Sequence, residues 1–389
     1  MLFGSHKKDE QVCLVFDVGS NSVAGSWVRY EPGKRPVLLY TKRISIDVYQ
    51  DITVDHLLFA VKNALREVLT VLVPQAPCAP HRAFVFMASP WYAAQVRTIS
   101  YARRQPFVFS KRFADDLVMQ EFDKFNNAEH KEWKNMSDGH VPLEHKIVNV
   151  ELNGYTYNEP IGKKAERAEI SAFMSMMPEN VRDDIENIIH SSFHVDVEFH
   201  TSVFASYYGL SHMKNVPSDY TIVDVRGETT DLAVVRDGYL QEVVSLPFGD
   251  HTIVRSFAEL LNHKPVHMQE LIDMYLEGHL DDVNHNRIDR QIGKALEHVE
   301  SFLHTAFAHV AERGLFPHAM YVYSQKMYQD WYARILSDGR FAPLVTSNRA
   351  FSLHEARTTL KGVVTDEQVI LDPFIVAGAF FASNQLAQK

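Results

Sequence analysis

The chain has 389 residues, 46% of them hydrophobic, which is more than one hydrophobic core usually organises and enough to fill two. Its 39 basic and 49 acidic residues leave a net charge of −10 with no basic stripe, which argues against nucleic acid as a partner. Two cysteines, Cys13 and Cys78, cannot build a disulfide framework or a thiolate metal site and suit a reducing cytoplasm. No apolar run approaches the roughly 20 residues of a membrane helix, and the N-terminus has no signal-peptide core, so contact with a membrane is expected to be indirect, through a partner, or no more than a weak surface contact.

In chain order, Val12–Phe16, Val23–Tyr30 and Val37–Ile46 read as a three-strand meander, with Pro32-Gly33 turning the second strand into the third. His56–Leu72 carries Leu57, Val61, Ala64, Leu65, Val68 and Leu69 at helical spacing, and Pro74, Pro77 and Pro80 then break the chain. Ala83–Ala88 is a strand, Ser110–Phe125 a helix, and Asn126–His140 a polar surface loop; strand character returns at Ile147. Strand Glu169–Met176, helix Val181–His190, strand Val195–His200 and helix Val203–Ser211 form an α/β unit. A second meander begins at Tyr220 and continues through Tyr239–Leu246. Helices follow at His251–Leu261, Met268–Leu276 and Arg287–Arg313, the last ended by Gly314. Met320–Ser324 is a strand, and Phe374–Asn384 a closing helix whose Ala377, Gly378 and Ala379 suit tight packing.

The two meanders begin alike. Leu14–Val23 and Ile222–Val235 are each an apolar strand, then an Asp, then a turn of small or hydroxylated residues, then a second strand. Such a bend presents backbone N–H groups and hydroxyls, with a carboxylate able to hold a hydrated cation, and two facing copies can grip the phosphates of a nucleotide. Asp commonly forms turns after strands, so Asp17 and Asp224 also have a purely structural reading. Other motifs carry less. His190 and His194 lack a second ligand pair, and Asp282-Val283-Asn284-His285-Asn286 begins like a calcium loop but has Arg287 where the loop needs Gly. Trp91, Phe107 and Phe109 read as subdomain core in preference to a partner-facing patch.

Four segments in order carry a resemblance: Asp17-Val18-Gly19-Ser20-Asn21, Tyr155–Gly162, Leu246-Pro247-Phe248-Gly249-Asp250-His251-Thr252, and Val376-Ala377-Gly378-Ala379-Phe380-Phe381-Ala382. With these the chain resembles the actin-like ATPase superfamily, and within it the FtsA/PilM-like proteins of cell division and type IV pilus assembly. The resemblance implies an α/β, duplicated actin-like (ribonuclease H-like) two-lobed fold with a small α+β subdomain inserted in the first lobe. The expected division is 11–80 for the first lobe, 81–165 for the inserted subdomain, 166–218 for the rest of the first lobe, 219–372 for the second lobe, and 373–389 for a C-terminal helix returning to the first.

The resemblance also implies ATP with Mg²⁺ between the lobes, at Asp17, Gly19, Ser20, Asn21, Asp224, Gly227, Thr229, Thr230 and Gly249, with Asp17 and Asp224 holding Mg²⁺ through water. Against this, Arg226 and Glu228 replace glycines of the second turn. A Glu beside a triphosphate adds bulk and repulsion, which Arg226 could offset by pairing with phosphate. Gln325-Lys326 stands where the family has Gly-Gly for the adenosine, and Asp273 where a nucleotide-contacting Lys is expected. The reading is a cytoplasmic scaffold, peripheral at the inner face of the membrane, with weakened or lost ATP binding and no catalytic residue assigned. By resemblance its partners are the cytoplasmic tail of a membrane protein or other pilus or division components, with self-association as a further mode. The alternative is an active Mg-ATP-dependent ATPase or kinase of the superfamily.

Overall fold

The computed structural model describes residues 10–50, 53–127, 139–366 and 371–387. Strands β1 (Gln11–Val18), β2 (Ser22–Tyr30) and β3 (Val37–Ser45) form the first antiparallel meander. Helix α1 (Val54–Leu72) starts where the Thr53 hydroxyl accepts the His56 N–H, and it buries Leu57, Leu58, Val61, Ala64, Leu65, Val68, Leu69 and Leu72 on one face. It crosses back so that β4 (Ala83–Met87) lies parallel to β1.

The chain then leaves this sheet. Strand β5 (Ala93–Val108), helix α2 (Lys111–Asn126), and strands β6 (His140–Leu152), β7 (Tyr155–Thr156) and β8 (Lys164–Pro178) build a separate sheet in the order β5-β8-β6-β7. Helix α2, with Ala114, Val118, Phe122 and Phe125 inward, covers it over a small core of its own that includes Ile99, Phe109, Ile170 and Met174. Strand β8 serves two cores, because Phe173 and Met177 belong to the first lobe. Helix α3 (Glu179–Phe193) and strand β9 (Val197–Thr201), parallel to β4, then return the chain, and α4 (Ser202–Ser211) follows.

The second lobe repeats the plan. Strands β10 (Tyr220–Val225), β11 (Thr230–Arg236) and β12 (Tyr239–Leu246) form the meander, and helices α5 (Asp250–Leu261), α6 (Pro265–Leu276) and α7 (Asp282–Ala311) follow. Strand β13 (Ala319–Tyr323), helix α8 (Gln329–Leu336), strand β14 (Ser352–Glu355) and helix α9 (Ala356–Thr359) complete the lobe, with β13 parallel to both β10 and β14. Strand β15 (Thr365–Asp366) returns to the edge of the first sheet beside β3, and α10 (Pro373–Ala387) ends the described chain. The sheet orders are β15-β3-β2-β1-β4-β9 and β12-β11-β10-β13-β14, so β1 and β10 hold equivalent central places. Both are buried on both faces, which is why they read as continuous apolar runs. Helices α4 and α10 pack on each other. Helix α4 is buried along nearly its whole length because it touches strands of both lobes. At Gly378 an added Cβ would lie 2.7 Å from the Phe86 ring, so α10 approaches β4 at glycine distance.

Several elements differ from the sequence reading. Strand β5 was not expected. Among the described residues it is an edge strand paired only with β8, so its apolar positions are sparse, and Arg97, Arg103, Arg104 and Pro106 mask them. Strand β6 starts at His140, seven residues before Ile147, because its polar Glu144 is buried and bonded to Ser175, Thr201 and His200. Helix α7 starts at Asp282, capped by the Asp281 side chain on the Asn284 N–H, so the segment resembling a calcium loop is its first turn. Helix α8 and strand β14 were also not expected. Most of the polar loop expected at Asn126–His140 lies outside the described residues.

Candidate functional site

Equivalent placement of β1 and β10 brings their C-terminal ends face to face. Asp17 pairs with Ala24 and Phe86 in one sheet, and Asp224 with Asp231 and Tyr323 in the other. Between the two carboxylates lies the Arg226 guanidinium, 1% exposed. Its Nη1 donates to Asp17 Oδ2 at 2.9 Å, Nε to Asp224 Oδ1 at 2.6 Å, and Nη2 to Asp224 Oδ2 at 3.2 Å and to Ser202 at 2.6 Å. The Phe374 ring stacks on it, with Cζ 3.7 Å from the ring centroid. Arg43, from β3, donates to Asp17 Oδ2 at 2.9 Å and to both oxygens of Asp372 at 2.7 and 3.0 Å. Three carboxylates and two guanidiniums therefore form one interlobe network.

The network is strongly coupled. Burial works against the charged form of Arg226, but Asp17 and Asp224 outweigh it and hold the guanidinium above its ordinary range. Burial pushes the Asp224 carboxyl up to about 6 in spite of Arg226. At Asp372 burial also opposes ionisation, yet Arg43 prevails and holds this carboxyl below the ordinary range. With both Asp224 oxygens on Arg226, the carboxylate is committed, and Asp17 keeps only Oδ1 without a hydrogen-bond partner. A single open oxygen flanked by two guanidiniums is a poor seat for a divalent cation.

The other residues named from sequence converge on the same place, and many of their polar groups bond to protein. Gly19 N–H donates to the Ser22 carbonyl, and the Ser20 hydroxyl accepts the Glu228 N–H across the cleft at 3.0 Å. Asn21 Nδ2 donates to Asp250 Oδ2 at 2.9 Å. Thr229 supplies the carbonyl that accepts the Arg226 N–H, closing the second turn, and Thr230 donates to the Phe248 carbonyl at 2.8 Å. An added Cβ at Gly227 would stand 2.9 Å from the Asn21 nitrogen of the opposite lobe. At Gly249 it would stand 2.2 Å from the Arg226 carbonyl oxygen, so only glycine lets the α5 N-terminus close over the second turn.

Sequence reasoning missed the residues that close this arrangement. Arg43, Asp372 and Phe374 come from distant elements. Asp231 of β11 accepts Ser89 at 2.8 Å and Tyr92 at 2.5 Å, a further bond between the lobes. Asp250 holds Asn21 on one oxygen and Tyr332 on the other at 2.8 Å, and burial pushes its carboxyl up to about 7 against these bonds. Glu228, read as a repulsive intruder, is ion-paired with Arg255 at 2.5 Å and hydrogen-bonded to His251 at 2.9 Å. Burial opposes that charge, yet the two partners hold the carboxyl down to about 2. Only the position of Asp250, directly after Gly249 in the resemblance motif, was a usable sequence signal.

Beside the network a cavity of about 210 Å³ remains between the lobes, smaller than the ~300–1,000 Å³ of ordinary ligand sites. Among the described residues its lining includes Asp47, Asp250, Glu270 and Asp273 and no Lys or Arg. Gln325 lines it too, and Tyr328 closes one side by donating to Gln269, which in turn donates to Asp273. Carboxyl groups with no Lys or Arg among the described lining residues oppose a triphosphate. Among the described residues no group of three or more His, Cys, Asp or Glu is placed to hold a metal.

No protein-family model matches the chain, and no curated protein matches it. Among solved structures, a chain of a PilM-PilN type IV pilus biogenesis complex aligns with a TM-score of 0.59 at 14% identity, covering 95% of this chain and 98% of that one. This chain has the actin-like two-lobed fold. The ethanolamine utilization protein EutJ from Carboxydothermus hydrogenoformans aligns at 0.46 and 10% identity, over 98% of this chain and 91% of its own. A ROK family glucokinase from Streptomyces griseus, in complex with glucose and AMPPNP, aligns at 0.42 and 12%, over 96% and 99%. Between its paired hairpins this chain places the Arg226 network.

Proposed function

We propose that this chain is an actin-like scaffold of a membrane-associated machine that holds protein partners without a nucleotide cycle. One observation carries the reading: Arg226 fills the space between Asp17 and Asp224 with a fixed cation, so the lobes are joined by the protein itself. The acidic cavity wall supports it, because phosphate would meet carboxylates there. The partner class, a cytoplasmic tail of a membrane protein or another pilus or division component, is supported by the likeness to the PilM-PilN structure. Among the described residues no helix is long and apolar enough to cross a membrane.

A melting curve with and without 1 mM Mg·ATP tests this. A ligand whose Kd is 1 mM or weaker stabilises by at most about 0.4 kcal/mol at that concentration, a shift of under about 2 °C. A Mg-dependent rise of 5 °C or more, lost in Asp224→Ala, would overturn the reading in favour of a working ATPase or kinase.

A further inference from the structure

The sheet inserted in the first lobe ends in a cationic surface. Strands β5 and β8 meet near the lobe at the Ala93–Met176 pair and diverge from it to the Val108–Lys164 pair, twelve residues of β8 away. At about 3.3 Å per residue that is about 40 Å along the strand. Residues 103–106 bulge out between the Ala102–Arg167 and Phe107–Ala165 pairs, while the Phe109 N–H donates to the Lys163 carbonyl. This brings 103–112 beside 163–167, and the β7 hairpin lies on the far side of β6, about 15 Å across at ~4.8 Å per strand.

Within 103–112 and 155–167 stand seven cationic residues against two carboxylates, a net of +5 in a chain of −10, so the rest carries −15. All seven cations are exposed. Arg167 pairs with Glu169, and Arg112 leans toward Asp116 at 3.9 Å. Arg103, Arg104, Lys111, Lys163 and Lys164 have no carboxylate partner among the described residues. Between the cations, Tyr155 is 71% exposed, Ile161 56% and Val108 53%, and Lys163 lies over the Tyr157 ring. The loop is tied down at Asn158, which accepts from the Tyr239 hydroxyl of the second lobe at 3.4 Å.

We propose that this surface binds anionic lipid membrane. Exposed Tyr and aliphatic side chains among unpaired Lys and Arg are the combination that seats a protein at the headgroup boundary: the rings enter the interface and the cations meet lipid phosphates. Opposite charge on the remainder of the molecule turns this end toward a negative surface and the acidic bulk away from it. That same −15 disfavours a nucleic acid, which would run past the patch onto repelling surface. An acidic peptide needs a slot for its side chains, and the adjoining cavity, lined by Glu151, Asn153, Gly154, Arg167 and Glu169, offers it two carboxylates. This makes the membrane contact direct, where the sequence reading expects a partner or a weak surface contact.

Flotation of the full chain with phosphatidylcholine vesicles, with and without 30% phosphatidylglycerol, tests the proposal without any partner protein. Binding to the anionic vesicles alone, abolished by 0.5 M salt, is expected. Each lost cation should weaken partitioning roughly fivefold, so Lys163→Ala with Lys164→Ala should cost about 25-fold. Tyr155→Ser with Ile161→Ser should weaken binding while leaving its salt dependence in place, and a melting temperature within 2 °C of the parent confirms that each variant is folded. Equal binding to neutral vesicles, no binding to anionic ones, or an unweakened Lys163/Lys164 variant would overturn the proposal. So would capture by poly-glutamate with no vesicle binding, which would assign the surface to an acidic protein.

Discussion

Replacing Arg226 by Met keeps most of the side-chain volume and removes the charge that joins the lobes. Asp17 retains Arg43, whereas Asp224 loses every charged partner it has in the network. Removing one member of a buried pair typically costs about 3–5 kcal/mol, because the other charge is left buried and uncompensated. At about 2–4 °C per kcal/mol for a lobe of ordinary size, the melting temperature should fall on the order of 10 °C. The loss should grow with pH. The Asp224 carboxyl already titrates near 6, and without the guanidinium it will hold its proton higher still. Above the ordinary carboxylate range of about 4 the folded variant therefore binds more protons than its unfolded chain, and its stability falls as pH rises. Urea denaturation at pH 5.5 and pH 8.0 measures both effects. Adding Asp224→Asn to Arg226→Met removes the stranded charge and should recover most of the loss at pH 8.0. A single variant within about 1 kcal/mol of the parent at pH 8.0, or a double variant no better than the single one, would refute the reasoning.

The Asp250 carboxyl, pushed up to about 7, contributes stability that is fully present below about pH 4 and lost as pH rises through 7; Asp250→Asn should flatten that slope in melting curves taken from pH 4 to 8. Glu228, held down to about 2, has the opposite sign: its contribution is present above the ordinary Glu range of about 4.3 and lost as pH falls toward 2, so Glu228→Gln should shorten the acid limb of the same profile. Gly249→Ala, which forces a Cβ against two backbone carbonyls at 2.2 and 2.4 Å, should cost at least about 3 kcal/mol by denaturant titration, or leave the chain insoluble. Ser89→Ala with Tyr92→Phe strips two donors from buried Asp231 and should cost about 2–4 kcal/mol, with faster hydrogen exchange in both β1 and β10; unchanged exchange would mean that these bonds do not hold the lobes together.

The doubly buried strands were legible because burial on both faces makes a strand uniformly apolar, as at Leu14–Phe16 and Ile222–Val223. Helices α1 and α10 were legible for a related reason: each displays one packing rule along a continuous stretch. Strand β5 was not, since an edge strand over a thin core needs apolar residues only at scattered positions, and its arginines dominate the pattern. Glu144 shows the same limit. A carboxylate held by His200, Ser175 and Thr201 looks like a surface residue until β9 is placed beside β6.

By itself the sequence determined the duplicated order of elements and the two Asp turns, because strand burial, turn chemistry and helical spacing are local properties of a few neighbouring residues. It also marked Arg226 and Glu228 as out of place for a phosphate turn. What those residues do was decided only by tertiary structure. Arg226 is 209 positions from Asp17, and Asp372, just before α10, and Phe374, in its first turn, reach the same point. A guanidinium that reads as a spare phosphate ligand becomes a fixed counter-ion once the fold sets two carboxylates on either side of it, because a buried charge takes the nearest partner able to compensate it.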